Sequence, residues 1–121
     1  MREKKLKRTF DLYLKDILEA IRRIQEYIGS MDCEELSENM ITLDAVMRNM
    51  EIIGEAAAQL QKEIKDKYKE VPWREIQDFR IIVAHHYWKV NIQRIWDIIE
   101  NKLDSLKQQV DDILEKEKKH D

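Results

Sequence analysis

The chain has 121 residues, 43% hydrophobic and 39% charged, with two glycines and one proline. Average usage would put roughly eight glycines and six prolines in this length, so turn-rich all-β and α/β folds are disfavoured and long helices with solvated faces are expected. A net charge of −3, from 22 basic and 25 acidic residues, excludes a protein that grips nucleic acid by bulk positive charge alone.

In chain order, Phe10, Leu14, Ile17, Ile21, Ile24 and Ile28 are spaced 4, 3, 4, 3, 4, which predicts an amphipathic helix ending at Gly29-Ser30. A second helix is expected from near Ser37, with Met40, Leu43, Met47, Met50, Gly54 and Ala57 on one stripe and Ile53, Leu60 and Ile64 widening it. Gly54 and the run Ala56 to Ala58 remove bulk there. A glycine inside a helix costs up to about 1 kcal/mol, so close approach of a neighbouring helix is expected at that point.

Lys65 to Glu70 is nearly all charged, and Val71-Pro72 marks a boundary, because the residue before proline resists the helical conformation. Pro72 suits the first turn of a short third helix, Trp73 to Tyr87, with Ile76, Phe79 and Val83 on one face. Asn91 is a natural N-cap for a fourth helix carrying Ile92, Trp96, Ile99, Leu103, Leu106, Val110 and Ile113. The charged tail 115–121 is expected to fray. Short connections between these segments predict an all-α antiparallel bundle, one domain over 1–121. With one cysteine, Cys33, no intramolecular disulfide forms, and no apolar run approaches the roughly 18 residues of a membrane span. A cytoplasmic protein with no membrane partner is expected.

The short helix carries the unusual chemistry. Arg80, His85, His86, Tyr87 and Trp88 crowd into nine residues of an otherwise apolar segment. At about 100° per residue, Arg80 and Tyr87 point nearly the same way, whereas His85 lies about 140° from Arg80. Three arrangements reconcile them: the arginine stem reaches round, the helix ends near Ala84, or a second subunit completes the site. His86 falls in line with Phe79 and Val83 and reads as a core histidine. One reading of this cluster is phosphodiester cleavage in RNA. Imidazole shuttles the proton of a ribose 2′-hydroxyl or of the leaving oxygen, and guanidinium holds the phosphate. The other is structural: Arg80 pairs with Glu55 or Asp78, His85 caps the helix end and Tyr87 caps the core. No phosphate-binding glycine loop or paired-cysteine spacing is present. The adjacent histidines lack the i, i+4 spacing of a helical metal pair, so no metal and no cofactor are expected.

The segment Arg80-Ile81-Ile82-Val83-Ala84-His85-His86-Tyr87 resembles the hallmark of the HepT-like toxins of the HEPN domain superfamily: Arg, four residues, His, any residue, Tyr. Pro72 to Ile76 upstream, Val90 to Ile99 downstream, and Asp44-Ala45-Val46 with Ile52 to Ala56 extend the likeness from about Phe10 to Val110. The resemblance implies a four-helix-type HEPN bundle that dimerises, so that two motif helices form a shared cleft. It implies a metal-independent endoribonuclease toxin of a type VII toxin–antitoxin system, with Arg80 and His85 as the catalytic pair. It also implies a minimal nucleotidyltransferase antitoxin that transfers AMP from ATP to Tyr87, adding bulk and negative charge beside Arg80. Glu55 matches a family position, where the inferred job is to hold Arg80 or the His85 region in place. His86 occupies the variable position of the motif.

One departure stands out. Members commonly carry a polar residue directly after the motif arginine, and here it is Ile81. The alternative function is therefore a weak or inactive HEPN module that serves as partner and substrate of a nucleotidyltransferase. For an acidic chain to bind RNA, positive potential is expected around Arg80, with Arg74, Lys89 and Arg94 nearby.

Overall fold

The computed structural model describes residues 2–86 and 91–118, with side chains described over 10–84 and 91–118. The described residues form eight helices and no strand: α1 (Arg2–Ile28), α2 (Cys33–Glu38), α3 (Met40–Gln59), α4 (Lys62–Lys67), α5 (Trp73–Gln77), α6 (Phe79–His86), α7 (Ile92–Asn101) and α8 (Leu103–Lys118). The all-helical expectation therefore holds over these residues.

Local chemistry sets the helix ends. Gly29 adopts φ 53°, which glycine reaches without steric cost, and its N–H donates to the Gln25 carbonyl at 3.0 Å to close α1. Asp32 and Glu35 form a reciprocal capping box that starts α2 earlier than the expected Ser37. Asn39 then accepts from the Thr42 N–H at 3.0 Å and opens α3 as a separate helix. Leu60 and Gln61 are both extended, so the second predicted helix ends at Gln59 and α4 occupies much of the charged segment. The Trp73 indole N–H donates to the Tyr68 carbonyl at 3.0 Å, fixing the turn through Val71 and Pro72. Asn91 caps α7 by accepting from the Arg94 N–H at 3.1 Å, as its position predicts.

α3 is central. It packs on α1 along one side and on α5 and α6 along another, while α8 lies against α1 and α7 bridges α2 and α8. The predicted α1 stripe is buried throughout, with Leu14, Ile17, Ile21 and Ile24 at 0% exposure. Leu43, Met47, Met50, Ile53 and Ala57 of α3 and Leu103, Leu106, Val110 and Ile113 of α8 meet it. Burial of each large aliphatic side chain stabilises by about 1.5–3 kcal/mol.

Four sequence expectations change in the folded chain. Met40, placed on the buried stripe, is exposed because it is the first residue of α3, beyond the face covered by α1. In α7 the buried residues are Ile95 and Ile98, while Ile92, Trp96 and Ile99 are half-buried. Lys102 has φ −121°, outside helical values, so α7 is rotated by about one residue relative to α8 and the single long stripe is broken. The third helix is likewise divided, with Asp78 at φ −70° and ψ −10° tightening the chain between α5 and α6. Finally, α8 continues past Glu115 to Lys118. Glu117 accepts hydrogen bonds from the Tyr68 phenol and from Lys67 Nζ, the latter at 2.7 Å, which ties that end of α8 to the α4 region. Residues 119–121 lie outside the described residues. Among the described residues, no helix is long and apolar enough to cross a membrane.

Candidate functional site

The site is built on the seam between α3 and α6. Gly54 is buried on α3, and a Cβ placed there would sit 2.6 Å from Arg80 Cγ, 3.1 Å from Arg80 N and 3.1 Å from the Gln77 carbonyl oxygen. The start of α6 therefore presses directly on the α3 backbone, and the arginine stem lies across the glycine. The expected close approach at Gly54 is realised, and what approaches is the motif arginine itself.

Arg80 is held a second time by its Nε, which donates to the Gln77 carbonyl at 3.2 Å. With the stem seated and Nε occupied, Arg80 remains an exposed residue. No carboxylate among the described residues pairs with it. This corrects the structural reading of the sequence. Glu55 lies on the solvent side of α3, its carboxylate 3.9 Å from Arg48 rather than against Arg80. Arg48 also bonds Glu51. Glu55 follows Gly54 by one residue, about 100° round the helix, which turns it away from the seam. Asp78 is exposed at the α5–α6 junction and does not pair with Arg80 either.

A second cation belongs to this neighbourhood. Burial, followed by the charge of Arg80, pushes the Lys65 ammonium below its usual pKa. Lys65 is half-buried on α4, also without a carboxylate partner among the described residues. Two uncompensated cations within electrostatic reach repel each other and together attract an anion. A phosphate suits them, since the open fork of guanidinium offers paired donors and the ammonium adds a point charge. Lys65 was not singled out from the sequence, where it is one charge in a run of charges. Its signal is tertiary: the charge of Arg80, fifteen residues on, bears on it in the folded chain. Arg74 and Arg94 are exposed on α5 and α7, and Lys89 lies outside the described residues.

α6 presents Arg80, Ile81 and Ala84 to solvent and buries Phe79 and Val83. Ile81 is half exposed, directly beside the arginine. In the register of α6, position 85 falls one turn beyond Ile81 and position 86 one turn beyond Val83. The helix does not stop near Ala84 but runs through His86, so positions 80 and 85 are about 140° apart around it. The side chains of His85 and His86 are outside the described set, as is Tyr87 altogether. No group of three or more His, Cys, Asp or Glu suited to a metal occurs among the described residues.

The model of a family described as "Ribonuclease HepT-like" matches residues 17–113. The chain is 37% identical over 106 residues to a protein of Caldanaerobacter subterraneus subsp. tengcongensis named as a candidate RNase, covering 88% of this chain and 95% of that one. It is 33% identical over 108 residues to a candidate RNase of Methanocaldococcus jannaschii, covering 89% of each. It is 35% identical over 102 residues to a candidate ribonuclease HepT of Thermococcus cleftensis, covering 84% of this chain and 93% of that one. No solved structure matches the chain. The family match over residues 17–113 and relatives above 30% identity along most of their length place this chain in the HepT-like family.

Proposed function

We propose that this chain is a metal-independent endoribonuclease, the toxin of a toxin–antitoxin pair, acting in the cytoplasm as a homodimer of single four-helix-type domains spanning 1–121. The observation that carries this reading is the guanidinium of Arg80. It is seated over Gly54, bonded through Nε to Gln77 and without a carboxylate partner among the described residues. An arginine kept for structure is normally neutralised by a carboxylate; one kept for a phosphate is left open. Family membership and relatives named as RNases support RNA as the source of that phosphate.

In this mechanism Arg80 binds the scissile phosphate and stabilises charge on its nonbridging oxygens, with Lys65 adding to the local field. His85 transfers the proton between the ribose 2′-hydroxyl, or the leaving 5′-oxygen, and solvent. The 2′-oxygen attacks phosphorus as the bond to the 5′-oxygen breaks, so the substrate supplies its own nucleophile. The separation of positions 80 and 85 round α6 favours a site shared between two subunits, with Arg80 of one chain serving beside His85 of the other. Tyr87 is the acceptor of AMP from a minimal nucleotidyltransferase antitoxin. The added phosphate neutralises the pocket and repels RNA. Glu55 and His86 take no direct part.

A second reading is favoured by Ile81, whose half-exposed apolar side chain stands where a polar neighbour of the arginine is expected. On that reading the site is catalytically weak and the chain serves as partner and substrate of the nucleotidyltransferase. Incubating the purified protein with total RNA in chelator, beside His85→Ala, separates the two. Cleavage by the parent and not the variant supports the nuclease. No cleavage by either, with AMP transfer to Tyr87 intact, supports the second reading.

A further inference from the structure

A recess of about 300 Å³ opens between α5–α6 and the junction of α7 with α8. Its floor is apolar, made by Ile76, Phe79 and Leu106, all buried. Its wall carries two amides and a hydroxyl, from Asn101, Ser105 and Gln109. None of these three side chains is hydrogen-bonded to another described residue, so all their donors and acceptors face solvent or the recess. At the rim, Lys102 and Glu75 bond each other and cancel their charges.

This composition selects a ligand class. With its two charges neutralising each other, the recess has no net attraction for a phosphate or a carboxylate. Unpaired amides and a hydroxyl beside a small apolar floor suit a neutral group with donors and acceptors on its edge. Amide side chains pair bidentately with nucleobase edges, and unstacked bases of single-stranded RNA are read by such contacts together with apolar packing. The recess and Arg80 share α6, the recess taking Phe79 and the arginine stem lying towards α3. Phe79 of the floor immediately precedes Arg80, with Cα atoms about 3.8 Å apart, and the two side chains leave α6 about 100° apart.

We propose that this recess is a nucleobase subsite, seating one base of the single strand whose phosphate is held by Arg80. The proposal rests on the RNA-binding part of the function above, and it assigns base recognition to Asn101, Ser105 and Gln109.

The test is binding, by fluorescence anisotropy, of short single-stranded RNA to the His85→Ala protein, with an abasic strand of equal charge alongside. Base-containing strands should bind about ten- to a hundredfold more tightly than the abasic strand, the range for one bidentate base contact. Ser105→Phe, which fills the recess from an exposed position, should abolish that difference. Gln109→Leu, close in size, should reduce it and serves if Ser105→Phe does not fold. Arg80→Ala should weaken base-containing and abasic strands alike. Equal binding of the two kinds of strand, no binding of either, or a preference that survives both recess variants overturns the proposal. Cleavage by the parent protein without base preference leaves the nuclease standing and removes the subsite. Base preference without cleavage does the reverse.

Discussion

A methyl group at Gly54 tests the central packing claim directly. In an unobstructed helix, Gly54→Ala stabilises by about 1 kcal/mol, because alanine has the better helix propensity. Here the new Cβ meets Arg80 Cγ at 2.6 Å, with two backbone atoms of the Gln77–Arg80 segment at 3.1 Å. Overpacking of that kind costs about 1–3 kcal/mol. The net expectation is a protein between unchanged and about 2 kcal/mol less stable, measured by urea unfolding with an unaltered m value. The decisive arm is a double-mutant cycle. Arg80→Ala removes Cγ and with it the tightest contact, so Gly54→Ala should cost at least about 1 kcal/mol less in that background. If Gly54→Ala stabilises by about 1 kcal/mol in both backgrounds, the arginine is not seated on the glycine and the geometry of the site is wrong.

Three further outcomes are expected. Lys65→Gln should weaken binding of all RNA sequences uniformly and reduce the slope of log affinity against log salt by about 0.7, the value for one phosphate contact on a single strand. An unchanged slope would remove Lys65 from the site. Tyr68→Phe should cost about 1–3 kcal/mol through loss of the bond to Glu117. Burial, then that bond, raise the Tyr68 phenol above its usual 10.0. Its contribution is therefore complete below about pH 10 and declines as the unfolded phenol ionises above it, so the parent should lose its advantage over the variant in alkaline unfolding titrations. Leu14→Ala, at 0% exposure, should cost about 2–5 kcal/mol, while Ile41→Ser, at 84% exposure, should stay within about 0.5 kcal/mol by the same unfolding assay.

The 4/3 spacing of apolar residues was sufficient to read helix identity and most of the core, because a helix repeats its buried face every 3.6 residues and each local stretch carries that period. Capping residues were equally legible where a side chain acts within three positions, as at Asn91. Breaks such as Leu60-Gln61 and Lys102 were not, since nothing in the identities of Leu, Gln or Lys forbids a helix. They follow from the need of α4 and α7 to pack on other elements. The α7 stripe was misassigned for that reason: a change of φ at one residue rotated the whole helix about its axis.

The candidate site divides along the same line. Arg80, His85 and Tyr87 were legible as a motif, because a family's spacing is written along the chain. Gly54 was legible as a place of close approach, because a glycine there is otherwise a cost. Which residue would fill the space above it, and that Lys65 would come to share the field of Arg80, were settled by the packing of separate helices, while Glu55 turns towards Arg48 two turns away on its own helix. Periodicity and spacing act over a few residues and can be read from a line of letters. Charge pairing and steric fit depend on distances that exist once the helices have packed.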